Sequence, residues 1–77
     1  MKINYDPKYN VAYISLREKH ETVETLKISD ELNIDIAADG RIFGIELLNA
    51  TEQLEIIKQG KLEILEERSG RKLEVAV

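Results

Sequence analysis

A chain of 77 residues, 43% apolar and 34% charged, holds enough apolar material for one small domain; with no cysteine it has neither a disulfide frame nor a thiolate zinc site. The net charge of −4 lies in the first sixty residues, eleven acids against seven bases, which disfavours nucleic-acid binding by the chain itself and leans toward a basic protein partner. No apolar run nears the ~20 residues of a membrane span, and the start MKINYDPKYN lacks the apolar stretch of a signal peptide, so a cytoplasmic domain without membrane contact is expected.

In chain order, MKINY alternates as a half-buried strand with Ile3 and Tyr5 on one face. DPKYN reads as a turn, with Pro7 fixing φ and Asp6 and Asn10 able to accept local backbone hydrogen bonds. VAYISL is apolar on both faces, Val11 and Tyr13 on one and Ala12, Ile14 and Leu16 on the other, as in a strand covered on both sides. REKHE is a polar connection. TVETLKI is a weaker strand in which Val23, Leu26 and Ile28 break alternation, as at a bulge.

ELNIDIA and RIFGIELL form the next hairpin. A two-residue turn at Asp39-Gly40 pairs Ile36 with Phe43, Ile34 with Ile45 and Leu32 with Leu47, all on one side of the sheet. Asp-Gly suits a type I′ turn, in which both central residues take positive φ. The period then changes: NATEQLEIIKQG predicts one helix of roughly ten residues, with Asn49 and Glu52 as a capping box and Gly60 as its left-handed end. In KLEILEERSGRKLEVAV a turn at Ser69-Gly70 would pair Ile64 with Val75 and Leu62 with Val77. The rival is a longer helix, which Gly60 interrupts at a cost near ~1 kcal/mol. The hairpin is favoured. The expected class is α+β: an antiparallel meander of about five strands, one helix and a C-terminal hairpin, in a single domain over residues 1–77 with a core at 1–60 and an extension at 61–77.

Few residues suggest chemistry. On the face opposite the apolar pairs, the same register sets Asn33 opposite Glu46 and Asp35 diagonal to it, ~7–8 Å apart at the backbone. Two acids so placed could divide acid and base roles or hold a hard cation. No Ser, Cys or Lys near them completes a nucleophile and base, so a solvated sheet face is preferred. His20, the one histidine, stands in a polar connection with no partner at metal or triad spacing. Tyr5 and Tyr13, placed on one face of the first hairpin, and Tyr9 in its loop are either interface anchors or the rim of a small core, the latter being preferred. Gly44 inside a strand implies a close approach, most simply by the packed helix. The four dispersed glycines build no phosphate-cradling loop. No catalytic residue, metal ligand or cofactor is expected.

YDPKYNVAYISL followed by DGRIFGIELLNA resembles the small prokaryotic proteins grouped as domain of unknown function 2283. In that family a Tyr-Asp turn precedes an Ala-x-Tyr-Ile strand, and an Asp-Gly hairpin precedes Gly-Ile-Glu-Ile-Leu-Asn-Ala. Residues 1 to about 55 follow the layout, with Leu47 where another aliphatic is common, and the segment from Lys61 lies beyond it. The family has no established activity; some members resemble antitoxins in being encoded beside small predicted toxins of an RNase-like type. The expectation is therefore a non-enzymatic protein-binding module with a candidate face at Tyr5, Tyr13, Asn33, Asp35 and Glu46. The alternative is a small ligand- or metal-binding protein or enzyme using Asp35 and Glu46. Unblocked strand edges in so short a chain further predict a homodimer in which residues after Gly60 take part.

Overall fold

Alternation of apolar and polar residues builds strands where the sequence implies them. The computed structural model describes residues 1–18 and 20–76. Its strands are β1 (Lys2–Asp6), β2 (Val11–Ser15), β3 (Glu24–Ser29), β4 (Leu32–Ile36), β5 (Ile42–Leu48), β6 (Lys61–Glu66) and β7 (Arg71–Ala76). The first five form one antiparallel sheet in the order β1-β2-β5-β4-β3, and β6 and β7 pair as a separate hairpin. The meander thus runs only through β3, β4 and β5. The β1–β2 hairpin adds to the free side of β5, which puts β5 in the middle.

The expected pairs Ile34–Ile45, Leu32–Leu47 and Asn33–Glu46 all form. The turn and the third pair differ. Ala37 and Arg41 close a three-residue loop, with Ala37 N donating to Arg41 O at 2.9 Å and Gly40 N to Ala37 O at 3.0 Å. Among these residues only Gly40 has positive φ, at 93°, so the turn is not type I′. The longer loop shifts the register by one, pairing Ile36 with Ile42, and a bulge at Phe43 shifts it back before Asp35 meets Gly44. The bulge preserves the apolar side, because a lasting slip would turn every following side chain over. In β3 the expected irregularity lies at Ile28, between Lys27 and Ser29.

Side-chain acceptors stiffen the hairpin turns. Asp6 accepts from Lys8 N at 2.9 Å, Ser29 from Glu31 N at 3.1 Å and Asp39 from Arg41 N at 3.0 Å. Each bond reaches two residues ahead, the usual local turn bond of short polar side chains.

The single expected helix is instead two short ones, α1 (Ala50–Gln53) and α2 (Glu55–Gln59), broken at an extended Leu54. The Asn49–Glu52 capping box does not form. Asn49 has left-handed backbone (φ 55°), whereas an N-cap residue takes extended geometry, and its side chain bonds Glu31 and Asn10. Asn10 supplies the cap from a distance: its Oδ1 accepts from Thr51 N at 3.0 Å and its carbonyl from Ala50 N at 2.9 Å. The Gln53 amide donates to the carbonyls of Leu48 and Glu31, pinning α1 to the sheet end. Gly60 ends α2 in the left-handed position, as expected.

The C-terminal hairpin forms, with its register two residues from expectation: Leu62 faces Val75 and Ile64 faces Leu73. The turn spans four residues, 67 to 70, rather than being centred on Ser69-Gly70. A shift of two keeps side chains on their expected face, so Leu62, Ile64, Leu73 and Val75 still share one side. The expected Leu62–Val77 pair falls partly on residue 77, outside the described residues. No helix among the described residues is long and apolar enough to cross a membrane.

Candidate functional site

The two sides of the five-stranded sheet differ chemically, and its register assigns each side chain. On one side lie Ile3, Tyr5, Ala12, Ile14, Leu26, Leu32, Ile34, Ile45 and Leu47. On the other lie Asn4, Tyr13, Ser15, Thr25, Asn33, Asp35, Gly44 and Glu46. Tyr5 pairs with Ala12 and Tyr13 with Asn4, so the two tyrosines occupy opposite sides and not the shared face the sequence implied. The four-residue turn between Asp6 and Val11 sets that parity. Tyr9 projects into solvent with Lys8 Nζ over its ring at 5.2 Å.

On the polar side one hydrogen-bonded group spans the sheet from β2 to β3. Tyr13 OH donates to Asp35 Oδ2 at 2.6 Å, and Thr25 Oγ1 donates to Asp35 Oδ1 at 2.6 Å. Tyr13 lies on β2 and Asp35 on β4, so the phenol must cross β5. It does so over Gly44, where an added Cβ would stand 2.0 Å from the Tyr13 hydroxyl oxygen. The close approach at Gly44 therefore comes from the Tyr13 side chain, not from a helix. Asp35 is 8% exposed, and short charge-assisted bonds of this kind offset the cost of removing a carboxylate from water.

Glu46 stands diagonal to Asp35, as the register requires, but binds a different partner: Asn33 Nδ2 donates to Glu46 Oε1 at 2.8 Å. Among the described residues, the two carboxylates thus accept from different partners. Among the described residues no cluster of three or more His, Cys, Asp or Glu has metal-holding geometry. His20 is exposed beside Glu18, its Nε2 3.4 Å from Glu18 Oε2.

At the bulge, the buried Phe43 ring has two guanidinium groups near it, Arg17 at 5.6 Å and Arg41 at 5.5 Å from the ring centre. Arg41 also bonds Asp39 at 2.7 Å and pairs with Glu21. The backbone N–H of Arg41, foremost, with its guanidinium, holds the Asp39 carboxyl below the ordinary carboxylate value. A shallow depression of about 510 Å³ beside this group is lined by Tyr13, Ser15, Arg17 and Phe43 among others. The sequence reading missed Thr25, Asn10 and the paired arginines. Thr25 could have been placed opposite Asp35 from the β3–β4 hairpin alone; the others depend on strands far apart in the chain.

The apolar side has no comparable organisation above it. Its large side chains are half-buried or exposed, and among the described residues the buried apolar ones are Ala12, Ala37, Phe43 and Ala50. The β6–β7 hairpin follows α2 directly, and among the described residues its strands make no extensive backbone contact with the sheet.

Searches among curated proteins and among solved structures found no match. One family, described as Protein of unknown function (DUF2283), matches residues 2–50, ending where α1 begins and so containing the whole five-stranded sheet. Both sequence motifs and the polar group of Tyr13, Thr25 and Asp35 lie inside that span, and the chain belongs to the DUF2283 family.

Proposed function

We propose that this chain is a non-enzymatic protein-binding module of the cytoplasm, antitoxin-like in holding a small basic protein of the toxin type. The observation that carries the reading is the apolar side of the sheet, whose large side chains are only half-buried or exposed. Contiguous apolar surface of this kind marks protein interaction sites in soluble proteins. The acid excess of the first sixty residues favours a basic partner, by attraction that salt would screen.

The competing use of Asp35 and Glu46 as a catalytic or metal pair gains no support from their bonding. Asp35 accepts from Tyr13 and Thr25, and Glu46 accepts from Asn33, an arrangement that serves strand alignment. The test is calorimetric titration of the full chain with the protein encoded by the neighbouring gene. Binding at micromolar affinity or tighter, weakening as salt rises, is expected. Absence of binding at low salt overturns the reading.

A further inference from the structure

Among the described residues two apolar surfaces are incompletely covered, and they are of different sizes. One is the side of the large sheet carrying Ile14, Ile34 and Ile45. The other is one side of the β6–β7 hairpin, where Ile64 is 48%, Leu73 56% and Val75 40% exposed. The hairpin is amphipathic by register: its opposite side carries Lys61, Glu63, Lys72 and Glu74 in a run of ion pairs. A two-stranded hairpin with one bare apolar side is at best marginally stable in water, so its formation calls for a surface to lie against.

The dimensions indicate how much surface awaits cover. The chain exposes 5932 Å², whereas a folded monomer of its 8.8 kDa mass exposes about 4,800 Å². Its radius of gyration is 14.1 Å, against about 11.5 Å for a compact domain of this length. The excess is roughly 1,100 Å² per chain; a contact between two chains that removed this much from each would bury about 2,200 Å², within the range of obligate homodimers.

We infer that the incompletely covered apolar side of this chain is closed by a second copy of the same chain, with the apolar side of each β6–β7 hairpin forming part of the contact. The inference rests on the protein-binding reading in taking the apolar side as an interface and names a second copy as its occupant, so that a basic partner would be held through the acid excess of the first sixty residues. A two-fold arrangement closes the assembly, because each copy supplies the same surfaces to the other and no third copy is recruited.

Light scattering on the full chain at about 50 µM, where even a weak dimer is populated, is expected to give twice the mass of one chain. Leu73→Glu, on the apolar side of the hairpin, is expected to halve that mass, whereas Leu65→Glu, on the polar side, leaves it unchanged. In a mixed-isotope sample of the unaltered chain, intermolecular NOEs are expected at the methyls of Ile64 and Leu73. This arm decides the matter if Leu73→Glu does not fold. A single-chain mass for the unaltered protein, or no intermolecular NOE at those methyls, overturns the inference. A monomer that still binds the basic protein defeats this inference alone, and a dimer that binds no protein defeats the functional reading alone.

Discussion

The five-stranded sheet and the C-terminal hairpin are both antiparallel and both apolar on one side, yet they are held by different means. In the sheet, residues distant in sequence meet: β2 pairs with β5, Tyr13 reaches Asp35, and Asn10 caps α1. In the hairpin the polar interactions are local. Glu66 accepts from Arg68 N, Ser69 N and Ser69 Oγ across the turn, and the ion pairs join exposed neighbours. Exposed ion pairs contribute little, so the hairpin depends on what covers it, whereas the sheet carries a largely buried polar tie of its own.

The strongest way to break this contrast is at the crossing point of the sheet. Gly44→Ala would drive the Tyr13 ring from its place, removing its bond to a buried carboxylate and straining β5. A loss of about 3 kcal/mol is expected in chemical denaturation. Wild-type stability would mean that the tie contributes nothing. Tyr13→Phe keeps the ring and removes only the hydroxyl, so a smaller loss of about 2 kcal/mol should follow, and its sum with Gly44→Ala should be far from additive.

Gly40→Val probes local rather than long-range support in the same sheet. A β-branched residue at φ 93° is strained, and a loss of about 1–2 kcal/mol is expected in thermal unfolding. An unchanged melting temperature would contradict the left-handed position of Gly40.

Acid sharpens the comparison from the hairpin side. The Ser69 hydroxyl, then the backbone N–H groups of Ser69 and Arg68, hold the Glu66 carboxyl below its ordinary 4.5. A depressed folded value means that the turn is supported above the ordinary value and loses that support as pH falls through the lower folded one. Amide exchange at Arg68 and Ser69, corrected for its intrinsic pH dependence, should therefore keep its protection at the ordinary carboxylate value and lose it only at more acid pH. Constant protection over that range would exclude Glu66 as the support. The smallest effect is expected for Glu46→Gln: its amide oxygen can still accept from Asn33, so stability should change by no more than about 0.5 kcal/mol. A divalent-metal-dependent activity lost in this variant would favour the catalytic reading instead.

Sequence alone determined which side chains of β4 and β5 share a side, since apolar alternation admits only one parity for Leu32, Ile34, Ile45 and Leu47. It also determined the hairpin nature of the tail, where Gly60 ends the helical pattern and alternation resumes, and the two motifs that place the chain in its family. Alternation specifies parity and not position, however. A loop one residue longer than expected and a bulge at Phe43 cancel, and a shift of two in the last hairpin leaves its apolar side intact. The tertiary structure alone decided that β2 lies against β5 and that Tyr13 crosses Gly44 to Asp35. It also decided that Asn10, and not Asn49, caps α1. Each of these joins residues more than twenty positions apart, and such contacts are chosen by the packing of whole strands, which no local pattern of residues encodes.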